Sequence, residues 1–421
     1  TNIQDAVDLA GNGDIVLVTN GIYRAGGKIV HGSLSNRVAV GAGVTLRSVN
    51  GPHTTFIVAN EPGEQSPIRC AYLGDAARLE GFTLTGGRTR IDGGLNTQQS
   101  GGAVWCEPTA VVAQCILDKN RAEHFGGGTY GGTLLDCRVS GNSAKYGGGT
   151  YGGTVRGCEI TGNAAIHGGG TYGGQIEGCT IEENSAPQGG GAYAGTHLRS
   201  RITGNTATLG GGAHDSVLRN CLVTGNAAVH GGGSFLGQLV NCTLSGNSAT
   251  VGGGTYEGTV LNSIVYDNAA SVSNANCKAD AGGSVAYTCT VPDPGGTGNL
   301  TAPPQFAGGD PVDYRLSVSS PCLDAGTNLA WMAEAFDLEG NPRIEGASVD
   351  MGCYEFTTPV HYVSPSGSAQ PPYISWATAA GTIQDAIDVA IDGDTVLVAG
   401  GTYEDGGVAV EDGPLNRIAV T

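Results

Sequence analysis

Cleavage of an acidic polysaccharide by elimination needs a base beside carboxylates, and hydrolysis of a glycosidic bond needs two carboxylates a few ångströms apart. Between residues 126 and 270 this chain of 421 residues offers Asp136, Glu159, Glu177, Glu182, Glu183, Asp215, Glu257 and Asp267, with Lys145 as the one lysine. These residues do not share a single column of the repeat described below, so no catalytic row is expected from them. His214-Asp215, standing where earlier coils such as Tyr151-Gly152 and Tyr172-Gly173 have Tyr-Gly, is the one acid–base pair of interest, and a surface turn variation accounts for it more simply than a dyad. Asp293, Asp310 and Asp313 offer oxygen ligands for calcium without the spacing of a known calcium loop. Of the 12 cysteines, none has C-x₂-C spacing and none is accompanied by a histidine pair, which excludes a zinc site. Cys277 with Cys289 and Cys322 with Cys353 are candidate disulfides for an oxidising compartment, although sequence does not fix connectivity. The expectation is a chain that is not an enzyme, with no catalytic residues, no metal site and calcium as the only cofactor to consider.

The elements that position these residues are set by a strict repeat. Gly-Gly-Gly triplets begin at Gly126, Gly147, Gly168, Gly189, Gly210, Gly231 and Gly252, each 21 residues after the last. One column reads Val139, Ile160, Ile181, Ile202, Val223, Leu244, Val265, and two residues earlier it reads Cys137, Cys158, Cys179, Ser200, Cys221, Cys242, Ser263. Alternate residues therefore point inward, as in a strand, and the five ladder cysteines act as small hydrophobes. A third column, Leu134, Val155, Ile176, His197, Leu218, Leu239, Val260, is apolar in all turns but one. Twenty-one residues are too few for two packed helices, and each glycine costs about 1 kcal/mol against Ala inside a helix. Three short strands joined by tight turns fit, giving one coil of a parallel β-helix that rises about 4.8 Å per coil. The column Asn142, Asn163, Asn184, Asn205, Asn226, Asn247, Asn268 suits a turn, where Asn tolerates the left-handed conformation and bonds amides of neighbouring coils.

Composition narrows the partners. Lys and Arg total 20 against 38 Asp and Glu, a net charge of −18, which argues against nucleic acid and against an anionic membrane surface. No apolar run approaches the roughly 18 residues of a membrane span, so this segment is not expected to insert. The 74 glycines follow no Gly-X-Y period, so collagen is excluded.

Residues 1–30 read as an N-terminal cap, in which Ile3, Ala6, Val7 and Ala10 make one side of a short helix and Asp14–Val18 a buried strand. Residues 31–125 carry irregular coils, 126–270 the regular ones and 271–312 a loop-rich stretch. Residues 313–356 close the module, with Asp313–Leu316 and Val349–Glu355 as strands, and 357–381 link onward, with Trp376 packing on the next helix. From 382 to 421 the opening recurs at an offset of 380, Gln384 matching Gln4. The match continues through Gly393-Asp394, Val396–Val398, Tyr403 and Asn416-Arg417, with about 20 of 41 positions identical. One module and the start of a second, homologous one are expected.

Two motifs carry a family resemblance. Asn142-Ser143-Ala144 followed by Gly147-Gly148-Gly149-Thr150-Tyr151 resembles the repeat of polymorphic outer-membrane proteins. Ser320–Gly326, Asp337–Arg343 and Asp350–Glu355 together resemble the choice-of-anchor Q domain of bacterial surface β-helix proteins. The resemblance implies an all-β, right-handed, single-stranded parallel β-helix on an exported bacterial protein, and it supplies no catalytic residues. It also implies that Thr150 and its equivalents point inward, which turns the neighbouring column Tyr130, Tyr151, Tyr172, Tyr193, His214, Phe235, Tyr256 outward. Such a ladder stiffens a glycine-rich face; as a ligand-binding strip, Tyr130, Tyr151, Tyr172, Tyr193, Phe235 and Tyr256 would contact sugar rings or another fibre. The expected function is a structural rod or spacer module of a tandemly repeated surface or fibre protein, partnered end to end by copies of itself. A glycan-binding adhesin is the alternative, and a polysaccharide lyase or hydrolase ranks third.

Overall fold

The computed structural model describes all residues except Thr1, Pro62, 280–282, 310–311, 391–393, 410–414, 417 and 419–421. Asp310, Gly393 and Arg417, named above, lie outside the described residues. The chain divides into two compact units, one of residues 1–314 with 321–355 and one of 315–320 with 356–421.

The first unit is a right-handed parallel β-helix built of three sheets of twelve strands each. All pairings within these sheets are parallel except that of Lys28–Ile29 with Ser35–Val40. Through the regular coils each residue pairs with the one 21 positions on, as in Thr133↔Thr154, Leu134↔Val155 and Arg138↔Glu159. That register stacks every sequence column into an axial ladder. The core is a single continuous apolar cluster, in which Leu134, Val139, Cys137 and their equivalents are buried. Thr150, Thr171 and Thr255 are buried in the same layer, so the neighbouring aromatic column faces outward. A fourth sheet of five short strands, Ser185–Gln188 to Ala269–Ser273, covers the corner that follows the Asn column.

The corners show why particular residues recur. Gly126 and the first glycine of each later triplet adopt φ near +65°, a conformation costly for L side chains. The second glycine of the triplet has a steric role: a Cβ on Gly148 would meet the carbonyl oxygens of Ala164 and Gly169. The asparagines do not sit at the left-handed position. That position belongs to the preceding residue, Gly141, Gly162, Glu183, Gly204, Gly225, Gly246 and Asp267. The asparagine side chains instead turn inward and are buried, each Oδ1 accepting both the backbone N–H and the Nδ2 of the asparagine one coil back. For Asn163 these distances are 2.9 and 3.0 Å. The Nδ2 of Asn163 in turn donates to Val139 O at 2.9 Å. Buried corner amides are thereby satisfied by a side-chain ladder, which their burial requires.

Ile3–Val7 forms the capping helix, with the Asn2 side chain accepting from Asp5 N–H and with Ile3 and Val7 buried over the first coil. The strand Ile15–Val18 is more exposed than its sequence suggests, with Val18 alone buried, because it is an edge. Val349–Glu355 is not a strand. Its N–H groups donate to side chains: Val349 to Asn328, Asp350 to Glu355, Cys353 to Thr243 and Glu355 to Asp337. In the second unit Trp376 packs edge-on against Tyr362, at 4.7 Å between ring centroids.

Candidate functional site

The outward aromatic column forms a longer ladder than the regular repeat indicates. Tyr72 and Trp105, on irregular coils, stack beneath Tyr130, so the series runs Tyr72, Trp105, Tyr130, Tyr151, Tyr172, Tyr193, His214, Phe235, Tyr256. Successive centroids are 4.8–5.7 Å apart and the planes lie within 25° of parallel. Each inner ring therefore spends both faces on its neighbours. The end rings are also covered, Tyr72 by the edge of His31 at 5.5 Å and Tyr256 by the ammonium of Lys278 at 4.5 Å from the centroid. Phe125, Tyr146, His167 and His230 pack along one side. Sugar rings stack on open aromatic faces, whereas this strip presents ring edges and phenol hydroxyls. Burial raises the pKa of Tyr130, Tyr151 and Tyr172, so the strip carries no phenolate at neutral pH.

His214 is one rung of this ladder, buried between Tyr193 and Phe235, and burial lowers its pKa despite the neighbouring Asp215. Asp215 is exposed at φ +49°, a corner residue. No hydrogen bond joins the two, and the Nδ1 of His214 has no partner. Five of the other charges of the regular coils pair between coils: Arg138 with Glu159 at 3.4 Å, and Glu177 with Arg156 at 3.0 Å and Arg199 at 2.7 Å. Glu177 is held below the usual carboxylate range, chiefly by its hydrogen bond from Arg199. Asp293 accepts from Gly295 N–H and Asn299, forming a local turn. Among the described residues no three His, Cys, Asp or Glu side chains converge as a metal site would require.

The pairings Cys277–Cys289 and Cys322–Cys353 are not formed as disulfides. Cys277 instead lies 3.5 Å from the hydroxyl of Thr290, and Cys289 Sγ donates to Ala302 O. Cys353 is buried in the closing segment, where the Thr243 hydroxyl receives its N–H. Fully buried thiols such as Cys115 and Cys353 have their pKa pushed up to about 12 by desolvation, which leaves them unreactive.

The resemblance motif at 337–355 forms a buried charge network that closes the helix. Asp337 receives the N–H groups of Glu339, Gly340 and Asn341 on one oxygen and that of Glu355 on the other. Arg343, fully buried, donates to the carbonyls of Asp350 and Gly352 and lies 3.3 Å from Glu355. Desolvation pushes Glu355 up to about 8 in spite of that arginine. The segment is fastened to the coils by three corner asparagines: Asn220 bonds Phe336 O, Asn241 bonds Asp350 O and Asn262 bonds Thr327 O. Their column reads Asp136, Gly157, Gly178, Arg199 in earlier coils, so the change to Asn was a legible signal for the docking track.

A second site lies on the irregular coils. A groove of about 580 Å³ is lined by Gln65, Arg88, Arg90, Asp92, Arg121 and Glu123, and it adjoins another of about 570 Å³ that includes Arg24, Glu61, Arg88 and Lys119. Arg24, Arg90 and Arg121 pair with Glu61, Asp92 and Glu123 at 2.7–3.1 Å. Arg88, half-buried and shared by both grooves, has no ion pair or side-chain hydrogen bond among the described residues. In a chain of net charge −18 this is a local concentration of guanidinium groups suited to a ligand carboxylate.

No family model and no curated protein sequence matches the chain. Among solved structures, it is similar to pectate lyase Pel9A, at 12% identity over 84% of this chain and 91% of that one, with a TM-score of 0.47. It is also similar to the PL6 family alginate lyase AlyGC, at 13% identity over 95% of this chain and 63% of that one, with a TM-score of 0.37. A further PL6 alginate lyase, complexed with a trisaccharide, is 12% identical over 72% and 77% of the two chains, with a TM-score of 0.34. The expectation that the chain is not an enzyme is corrected by these similarities, since the solved structures it resembles are polysaccharide lyases. That expectation rested on the charges of coils 126–270, and the arginine groove lies outside them.

Proposed function

We propose that this chain is a rigid β-helical module of an exported, tandemly repeated surface or fibre protein, joined end to end with copies of itself. The observation that carries this reading is the double period. Within the first unit, an inward aliphatic ladder, a buried asparagine ladder and an outward aromatic ladder run along the coils. At an offset of 380 residues the capping device is built again with the same bonds, Gln384 to Asp388 as Gln4 to Asp8, and Tyr403 hydroxyl to Ala399 O as Tyr23 hydroxyl to Thr19 O. Sedimentation velocity over a wide concentration range tests it. Growth of elongated species by whole multiples of the chain is expected, and a single monomeric species at every concentration would count against it.

A second reading is favoured by Arg88: binding of an acidic polysaccharide along the groove that this residue shares with Arg90 and Arg121. Uronate carboxylates match guanidinium forks, and cleavage is the activity for which the similar solved structures are named. Calorimetric titration with oligogalacturonate and oligoalginate checks binding, and the ultraviolet absorbance of a newly formed double bond checks cleavage. Loss of binding in Arg88→Ala supports the groove; equal binding by the variant removes it.

A further inference from the structure

Arg88 stands at the junction of the two grooves on the irregular coils, and its surroundings decide how much negative charge a ligand can bring there. Successive coils build the wall. Tyr23 pairs with Ile57, Val58 with Thr85 and Thr85 with Asp118, and the chain leaving these strands carries Arg24, Glu61, Arg88 and Arg121 in turn. Arg88 and Arg121 are bridge partners on neighbouring coils. Every other cation among the described lining residues has a carboxylate of its own. Arg24 lies 2.7 Å from Glu61, Arg90 2.7 Å from Asp92, Arg121 3.1 Å from Glu123 and Lys119 3.4 Å from Asp118. The further carboxylate of the lining, Glu64, acts on Arg37, whose guanidinium is bonded to backbone carbonyls.

A ligand carboxylate on Arg88 therefore meets an unopposed guanidinium fork. On Arg24, Arg90 or Arg121 it would have to share the fork with a protein carboxylate already bonded there, and the two anions repel each other. The flanks suit uncharged sugar instead. Phe56, half-buried in the lining, belongs to no ring stack among the described residues. Ile22 in one groove and Ile91 in the other are 57% and 81% exposed. Such surfaces take the C–H faces of a pyranose, while the flanking ion pairs offer hydrogen-bonding groups to its hydroxyls.

We infer that the grooves take an acidic polysaccharide whose carboxylates are isolated among neutral sugars, with one uronate at Arg88 and uncharged residues along Phe56, Ile22 and Ile91, rather than a polymer charged at every residue. This specifies the ligand of the acidic-polysaccharide groove proposed above and rests on that reading. The paired arginines then act as a filter: their carboxylates admit hydroxyls and disfavour a second uronate next to the first.

The test is calorimetric titration of the full chain with three tetrasaccharides: neutral xylotetraose, a xylotriose bearing one glucuronate branch, and tetragalacturonate. The single-uronate probe should bind about tenfold or more tighter than xylotetraose and at least as tightly as tetragalacturonate. Arg88→Ala should remove that advantage while the circular dichroism stays unchanged. Asp92→Asn combined with Glu123→Gln frees Arg90 and Arg121, and it should raise the affinity for tetragalacturonate about tenfold or more. Tetragalacturonate binding several-fold tighter than the single-uronate probe in the unaltered chain, or an affinity for it indifferent to the double substitution, overturns the isolated charge and leaves the acidic groove standing. Charged probes that bind no better than xylotetraose, or that bind Arg88→Ala as well as the unaltered chain, overturn the groove and the inference with it.

Discussion

Replacing His197 by Leu should flatten the acid side of the stability profile. His197 occupies the inward column that is otherwise Leu, Val or Ile, and it is fully buried. Its Nε2 lies 3.2 Å from the Thr171 hydroxyl, and its Nδ1 has no partner. Desolvation lowers its pKa from 6.5 to about 4. Between those values the unfolded chain binds a proton that the folded chain refuses, so stability falls as the pH falls. The contribution is fully present above pH 6.5 and is lost progressively as pH approaches 4. At about 1.4 kcal/mol per unit the loss approaches roughly 3 kcal/mol at the lower end. His197→Leu removes this term and leaves the other titrating groups in place, so the difference between variant and wild type isolates it. Urea unfolding at intervals from pH 4.5 to 7.5 is the assay, with midpoints compared because solenoids need not unfold in two states. The variant should gain roughly 2 kcal/mol relative to wild type on going from pH 7.5 to 4.5. A difference constant to within about 0.5 kcal/mol would refute the burial argument, showing that the ring is solvated or already charged in the fold.

Other perturbations probe the ladders. Asn163→Ala strands the Asn142 N–H and the Val139 carbonyl in the core and should cost roughly 3–5 kcal/mol, read as a lower urea midpoint and faster amide exchange at residues 139–142. Tyr172→Ala removes two stacked pairs, at 5.1 and 5.0 Å, and should cost about 2–3 kcal/mol while leaving oligosaccharide binding unaltered; a binding loss at unchanged stability would reinstate the strip as a ligand site. Gly148→Ala drives a methyl into two carbonyls and should destabilise by more than about 3 kcal/mol, against about 1–2 kcal/mol for Ala at Gly162, where space is open and only the left-handed φ of +62° is strained. Because the thiols are free, dithiothreitol should leave the melting temperature unchanged, and a fall of several degrees would reveal a disulfide.

The shaft was legible in the sequence because its period is unbroken: each column became a ladder, the inward Leu134 and Val139 columns followed from alternation, and the outward Tyr column followed from the resemblance that turns Thr150 inward. Where residues are placed by contacts distant in sequence, the pattern was silent. The left-handed corner sits one residue before each Asn, since the side chain is needed inside to satisfy buried amides. Val349–Glu355 has strand-like composition but is held by residues more than a hundred positions earlier, with Asn241 bonding Asp350 O and the Thr243 hydroxyl accepting from Cys353 N–H. The arginine groove is assembled from residues 24, 88, 90, 119 and 121, on coils of unequal length whose register cannot be read from a period. The cysteines were misread for a related reason, because spacing along the chain says nothing of which thiols meet.

The double period is the centre of the account, and its most direct test is electron microscopy of a polypeptide carrying residues 1–380 twice in tandem. The account predicts rods in which the second module continues the first at one fixed angle and spacing in every particle. Two rods joined at variable angles, or separated by a flexible gap, would contradict it.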